Sequence, residues 1–178
     1  FSFQKDFVNE DADRTKFLIA GNYCEEKGQT SVLKAVIELQ QQGINDFELY
    51  LAGSGDFAEP KRLVLENGLE KVVTFCGLVD DMQQLRRMVD VEIVASKCEA
   101  FGRVTIEAMR MSNPVIGTNT GGTPELIMDG VNGFLFEYGN HIQLAECIGK
   151  RPLKIIVCLA VVVIIGAFLC TEVRTFAE

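Results

Sequence analysis

Histidine is almost missing from this chain: among 178 residues there is one, His141. The six cysteines, Cys24, Cys76, Cys98, Cys147, Cys158 and Cys170, contain no C-x-x-C pair. Together these scarcities argue against a zinc site and leave no Ser–His–Asp arrangement to assemble. His141 falls at the start of the last regular helix, where a solvated or capping role suits it. Positive charge is also short, with 17 Lys and Arg against 25 Asp and Glu and a net charge of −8. No basic stripe is visible, so nucleic acid is excluded as a partner, although a single lysine can still meet a phosphate. There is no signal-peptide pattern, no internal repeat, and no low-complexity linker before residue 150. Cysteines scattered through apolar runs read as reduced, small core residues of a cytosolic protein. The chain opens on Phe1 rather than methionine, which raises the expectation of a piece of something longer.

What is present is apolar and ordered. At 48% hydrophobic the chain can bury a real core. Strands of three to six residues are expected at Lys16–Ala20, Phe47–Ala52, Val72–Phe75, Val91–Ala95, Pro114–Gly117 and Gly133–Leu135. Between them lie helical patterns: Gln29–Gln42, stopped by Gly43; one from Asp56, where Asp56 and Glu59 have capping-box spacing, to Gly68; a short one through Leu85 and Met88; one from Gly102; one with Thr123 as N-cap and Pro124 at the first position; and one capped by Asn140 and running to Gly149. Strands alternating with helices imply right-handed βαβ units, hence an α/β fold with a Rossmann-like parallel sheet and helices on both faces. Ligands of such sheets bind beyond the carboxyl ends of the strands. That rule gathers residues 22–28, 53–56, 77–81, 99–107 and 121–125 on one rim.

The centre of the chain is Ser96–Met109. Glu99 lies in a strand-to-helix loop, and Glu107 follows in the helix. With a helix start near Gly102, Glu107 is about 7 Å along the axis. Free backbone N–H groups and the positive helix end between the two favour an anion. Two acceptor carboxylates beside a phosphate site suit a sugar–diphosphate–ribose ligand; solvated surface charges are the alternative. Lys27 beside Gly28 offers an ammonium to a diphosphate or simply a solvated lysine. Gly121-Gly122 offers close backbone approach or a plain turn. Gly53-x-Gly55-x-x-Ala58 matches a dinucleotide fingerprint, but no acidic residue closes the following strand, and a tight turn explains it as well.

Six segments together resemble the C-terminal domain of a family 4 (group 1) glycosyltransferase of the GT-B fold, over about residues 14–150. They are Ala20-Gly21-Asn22-Tyr23-x-x-Glu26-Lys27-Gly28, Leu51-Ala52-Gly53-Ser54-Gly55, Val73-x-Phe75-x-Gly77-x-Val79, Ser96-x-x-Glu99-Ala100-Phe101-Gly102-x-x-x-x-Glu107-Ala108-Met109, Pro114-Val115-Ile116 and Gly121-Gly122-Thr123-x-Glu125-Leu126-Ile127. The resemblance implies a retaining transferase that takes a nucleotide-sugar donor, with UDP the expected nucleotide, and no cofactor or metal. It implies that Glu99 contacts the donor sugar as the catalytic-site carboxylate. Glu107 would hold the ribose hydroxyls and Lys27 the diphosphate. Phe101, Gly102 and Arg103 would present backbone to the diphosphate and sugar, and the loop of Val79 and Asp81 would read the base. It further implies that an N-terminal acceptor domain is missing here and that the acceptor is a glycan or a lipid-linked molecule. The domain expected at 1–150 would then bind donor without turnover. Two positions depart from the pattern: Asn22 stands where the family usually has Arg, and Ala100 where Gly is frequent. A non-catalytic nucleotide-sugar-binding module and a dinucleotide-binding oxidoreductase domain are the rival readings.

From residue 151 to 178 the composition changes. Ile155–Cys170 is a run of 16 apolar or glycine residues behind Lys150, Arg151 and Lys154. As a helix it would span about 24 Å, short of the ~30 Å hydrocarbon core. Half of it is Val or Ile, which also suits a buried strand. A marginal membrane span, a packed segment, and a cloning scar or altered reading frame all fit. A cytoplasmic location is expected, with association at the membrane left open by this tail.

Overall fold

Short apolar runs become six strands: β1 (Thr15–Ala20), β2 (Phe47–Ala52), β3 (Val73–Gly77), β4 (Val91–Val94), β5 (Val115–Thr118) and β6 (Gly133–Phe136). In the computed structural model, which describes residues 14–150, they form one parallel sheet in the order β3-β2-β1-β4-β5-β6. Six helices connect or follow them: α1 (Gln29–Gln41), α2 (Ala58–Glu66), α3 (Met82–Met88), α4 (Arg103–Arg110), α5 (Thr123–Leu126) and α6 (His141–Lys150). The expected fold class is the observed one. The expectations for the 151–178 tail lie outside the described residues.

The period of two along β1 sorts the core into layers. Phe17 and Ile19 pack with Val32, Leu33 and Val36 of α1, Val64 of α2 and Leu144 of α6. Leu18 points the other way, to Tyr50, Leu85 and Val89. Farther along that second face, Val94 and Val115 meet Ala108 of α4 and Ile127. The chain order reverses direction between β1 and β4, which pair as Phe17 with Val91 and Leu18 with Glu92. The loops leaving these two strands therefore splay to opposite faces, and a crevice opens between them.

Several local expectations need correction. The third strand runs on to Gly77, because Ala52 pairs with Gly77 after a register shift. The capping box at α2 does not form. The helix starts at Ala58, Asp56 accepts from the Ala58 N–H (2.9 Å), and Glu59 turns to Arg62 (2.8 Å). Thr123 is the first residue of α5, not its cap. Its side chain is buried against Gly117, where an added Cβ would sit 2.5 Å from Thr123 Cγ2. Asn140 does cap α6, accepting from the Gln143 N–H at 3.0 Å, so capping falls to it rather than to His141. Cys24 and Cys98 are exposed and only Cys147 is buried among the described cysteines, because the first two lie on rim loops. The run Val91–Ala95 is not wholly apolar, since Glu92 sits within it, fully buried on the face of α3 and α4.

Candidate functional site

The loop after β1 tightens into a 3-10 turn over Glu25–Lys27 and ends at Gly28. Gly28 has φ +71, and a Cβ there would lie 2.2 Å from the Ala95 carbonyl oxygen at the end of β4. Only glycine fits a left-handed backbone pressed so closely on a neighbouring strand. The Lys97 N–H donates to the Glu26 carbonyl (2.7 Å) and locks this loop to the one after β4. The result is that Lys27 and Glu99, 72 residues apart, form an ion pair across the crevice. Ser96, buried at the end of β4, donates its hydroxyl to the same Glu99 oxygen at 2.6 Å.

Burial works against the charge on Glu99, but the hydrogen bonds from Lys27 and Ser96 and the charges of Lys27 and Arg103 outweigh it. Its carboxyl is held below the usual carboxylate range and is ionised at neutral pH. Behind Glu99, the Gly122 N–H donates to the Glu99 carbonyl (2.7 Å). Gly121, with φ +58, lies so near that a Cβ would meet that carbonyl oxygen at 2.6 Å. The two glycines thus brace Glu99 from the β5–α5 loop. Gly102 precedes α4 with φ +69, no side chain caps the helix, and a helix start leaves its first N–H groups without intrahelical partners. Arg103 and Phe101 flank it on the exterior, Phe101 71% exposed. A recess beneath is lined by Lys27, Gln29, Ala95, Ser96, Glu99 and Val104.

Glu107 sits elsewhere. It lies four residues past Arg103, about 6 Å down the helix. There its Oε2 accepts from Arg86 Nη1 (2.8 Å), while half the side chain stays exposed. Glu99 and Glu107 thus flank the first turns of α4, each held by its own cation. Val79 is half-buried against the cluster of Leu18, Tyr50 and Leu85. Asp81 is exposed and N-caps α3, accepting from the Gln84 N–H at 2.9 Å.

The sequence did not show the role of Asn22, nor single out Gln29, Arg86 and Glu92. Asn22 accepts from the Ser54 N–H (3.1 Å) and hydroxyl (2.8 Å), clamping the loop after β1 to the loop after β2. Gly53 and Gly55 serve the same contact, since added Cβ atoms would meet Gly21 and Tyr23 backbone. That accounts for the fingerprint-like spacing without a ligand. Gln29 is buried, donates to the Gly21 and Asn22 carbonyls (3.3 and 3.2 Å), and leaves Oε1 without a partner. Arg86 and Glu92 form a buried bidentate pair (2.8 and 3.2 Å). A glutamate inside an apolar strand was the available signal for the last two, because a buried carboxylate must be paired. Among the described residues, no group of three or more His, Cys, Asp and Glu could hold a metal ion, and no helix is long and apolar enough to cross a membrane.

Comparison with known proteins gives the family and supports the fold. The family model described as Glycosyl transferases group 1 matches residues 14–150. The N-acetyl-alpha-D-glucosaminyl L-malate synthase of Bacillus anthracis is 38% identical over 102 residues, 57% of this chain and 27% of that protein. Anabaena HepE, solved in complex with UDP-glucose, superposes with a TM-score of 0.71 at 30% identity, over 78% of this chain and 39% of that one. The C-terminal domain of a group 1 glycosyl transferase from Francisella tularensis gives 0.67 at 29% identity, covering 76% of this chain and 74% of that one. The chain spans about a third of the length of the curated relatives it matches.

Proposed function

The chain belongs to the group 1 glycosyl transferases, and from that premise we propose that residues 14–150 are the donor-binding half of a retaining enzyme that takes its sugar from a UDP-sugar. The observation that carries this reading is the meeting of Lys27, Glu99 and the start of α4 at the point where the strand order reverses. An ammonium and free helical N–H groups suit a diphosphate, and an ionised carboxylate between them suits sugar hydroxyls. The complex of Anabaena HepE with UDP-glucose supports UDP as the nucleotide.

In this assignment Glu99 accepts from the donor sugar's hydroxyls. The backbone of Phe101, Gly102 and Arg103 faces the diphosphate. Glu107 holds the ribose, and Val79 with Asp81 lines the base. When the bond from the sugar's anomeric carbon to the diphosphate oxygen breaks, negative charge grows on the departing phosphate. Lys27 and the start of α4 stabilise that charge where it develops. The acceptor, a glycan or lipid-linked molecule, binds a separate domain, so residues 14–150 by themselves bind donor without turnover. Four unpaired thiols among the described residues support a reducing, cytoplasmic setting.

A thermal-shift panel of UDP, GDP, ADP, their sugar conjugates and NAD tests the reading. A ligand at one hundred times its Kd stabilises by about 2.7 kcal/mol, which is several degrees in Tm for a domain of this size. UDP and a UDP-sugar are expected to give that shift. Stabilisation by NAD with none from any nucleotide-sugar would overturn it.

A further inference from the structure

We propose that Arg86 is a positioning residue that sets Glu107 for a ribose diol, with Glu92 as its buried anchor. The inference rests on the ribose reading of Glu107 given above. Arg86 is 4% exposed and Glu92 is 0% exposed, on α3 and β4 respectively. Nε and Nη2 of Arg86 take both oxygens of Glu92, at 2.8 and 3.2 Å. The remaining amino group, Nη1, reaches Glu107 Oε2 on α4 at 2.8 Å. One planar guanidinium therefore spans α3, β4 and α4. Its own backbone is pinned as well, because Asn113 Nδ2 donates to the Arg86 carbonyl (2.7 Å).

Packing alone does not call for this arrangement. A buried ion pair is no better for stability than a pair of apolar side chains of similar volume, which would also suit the clusters on either side. What apolar residues cannot do is hold the third member. Glu107 is 51% exposed, on a side chain with free rotation about its bonds. Fixed by Nη1, it presents one carboxylate orientation to an incoming ligand and loses no freedom on binding. The fork of Arg86 is rigid because Glu92 occupies its other edge. Two carboxylates outweigh the cost of burial and keep the guanidinium charged.

The test uses the full chain and calorimetric Kd values for UDP and for its 2′,3′-dideoxy analogue, which lacks the diol. The variants are Glu107→Ala, Arg86→Lys, and the double variant Arg86→Met with Glu92→Leu. The double variant removes the buried pair as a unit and leaves no unpaired buried charge. Arg86→Lys keeps a cation for Glu92 if the double variant does not fold. The wild type is expected to prefer UDP over the dideoxy analogue by about tenfold or more, the worth of hydrogen bonds to a charged acceptor. Both Arg86 variants should lose most of that preference while binding the dideoxy analogue as the wild type does. A merely structural role would weaken both ligands alike, and that result overturns the proposal. So does an intact preference in the Arg86 variants when Glu107→Ala abolishes it. If Glu107→Ala itself leaves the preference intact, the ribose reading is what fails, and the proposal falls with it.

Discussion

Replacing Lys27 with alanine should weaken binding of the diphosphate and leave the nucleoside's own contacts unchanged. In the free protein the ammonium is paired with Glu99, with 36% of the lysine side chain and 15% of the glutamate exposed. A ligand diphosphate has to compete for that ammonium. At an effective dielectric of about 20, opposite charges 4 Å apart attract by about 4 kcal/mol. Giving up a partly exposed ion pair costs about 1 kcal/mol, and desolvation takes more, since net hydrogen bonds to charged groups are worth about 1.5–3 kcal/mol. The expected loss on Lys27→Ala is about 2 kcal/mol, or roughly thirtyfold in Kd for UDP. The freed Glu99 carboxylate would repel the ligand and push in the same direction. Uridine, which carries no phosphate, should bind the variant and the wild type equally. Competition calorimetry with UDP, UMP and uridine reads this directly, and raising the salt should shrink the difference as the charges are screened. Equal losses for UDP and uridine, or no loss for UDP, would refute the placement of Lys27.

The depressed titration of Glu99 makes a pH prediction. A carboxyl with its folded pKa lowered stabilises the fold above its unfolded value, near 4.5, and that contribution is lost as pH falls through the folded value. Thermal unfolding of wild type and Glu99→Gln should therefore differ by a constant amount above pH 5 and converge in more acid solution; a gap that persists there would contradict it. Gly28→Ala forces a left-handed backbone and a contact with the Ala95 oxygen, so it should cost at least about 2 kcal/mol in chemical denaturation. An unchanged midpoint would refute the close approach. Asn22→Ala removes the acceptor for two Ser54 donors in an exposed clamp and should cost about 1 kcal/mol. Hydrogen exchange should speed up at Ser54 and Tyr23, and unaltered exchange would show that the clamp is not formed.

The sheet was readable from the chain because its strands are short apolar runs cut by glycine, and because alternation with helices admits few topologies. Lys27 and Glu99 were readable as individual residues, yet their contact was not, since it depends on Gly28 letting the first loop lie against β4. Local spacing misled where another contact won: Glu59 went to Arg62, three residues on in the same helix, rather than to a cap, and Thr123 went into the core against Gly117. The Arg86–Glu92–Glu107 chain was missed for a different reason. Its members lie on three elements, and a periodicity reading of Val91–Ala95 averages over the one charged residue that needed an explanation. The departure at Asn22 was visible, but its role as a loop clamp follows only from how the second glycine loop packs on the first.

Amide chemical-shift mapping on 15N-labelled chain titrated with UDP-glucose tests most directly where the ligand sits. The account predicts saturable shifts at Gly28, Glu99, Gly102, Arg103 and Gly122, around the crevice between β1 and β4. Shifts confined to Gly53 and Gly55, or to loops at the opposite end of the sheet, would contradict it.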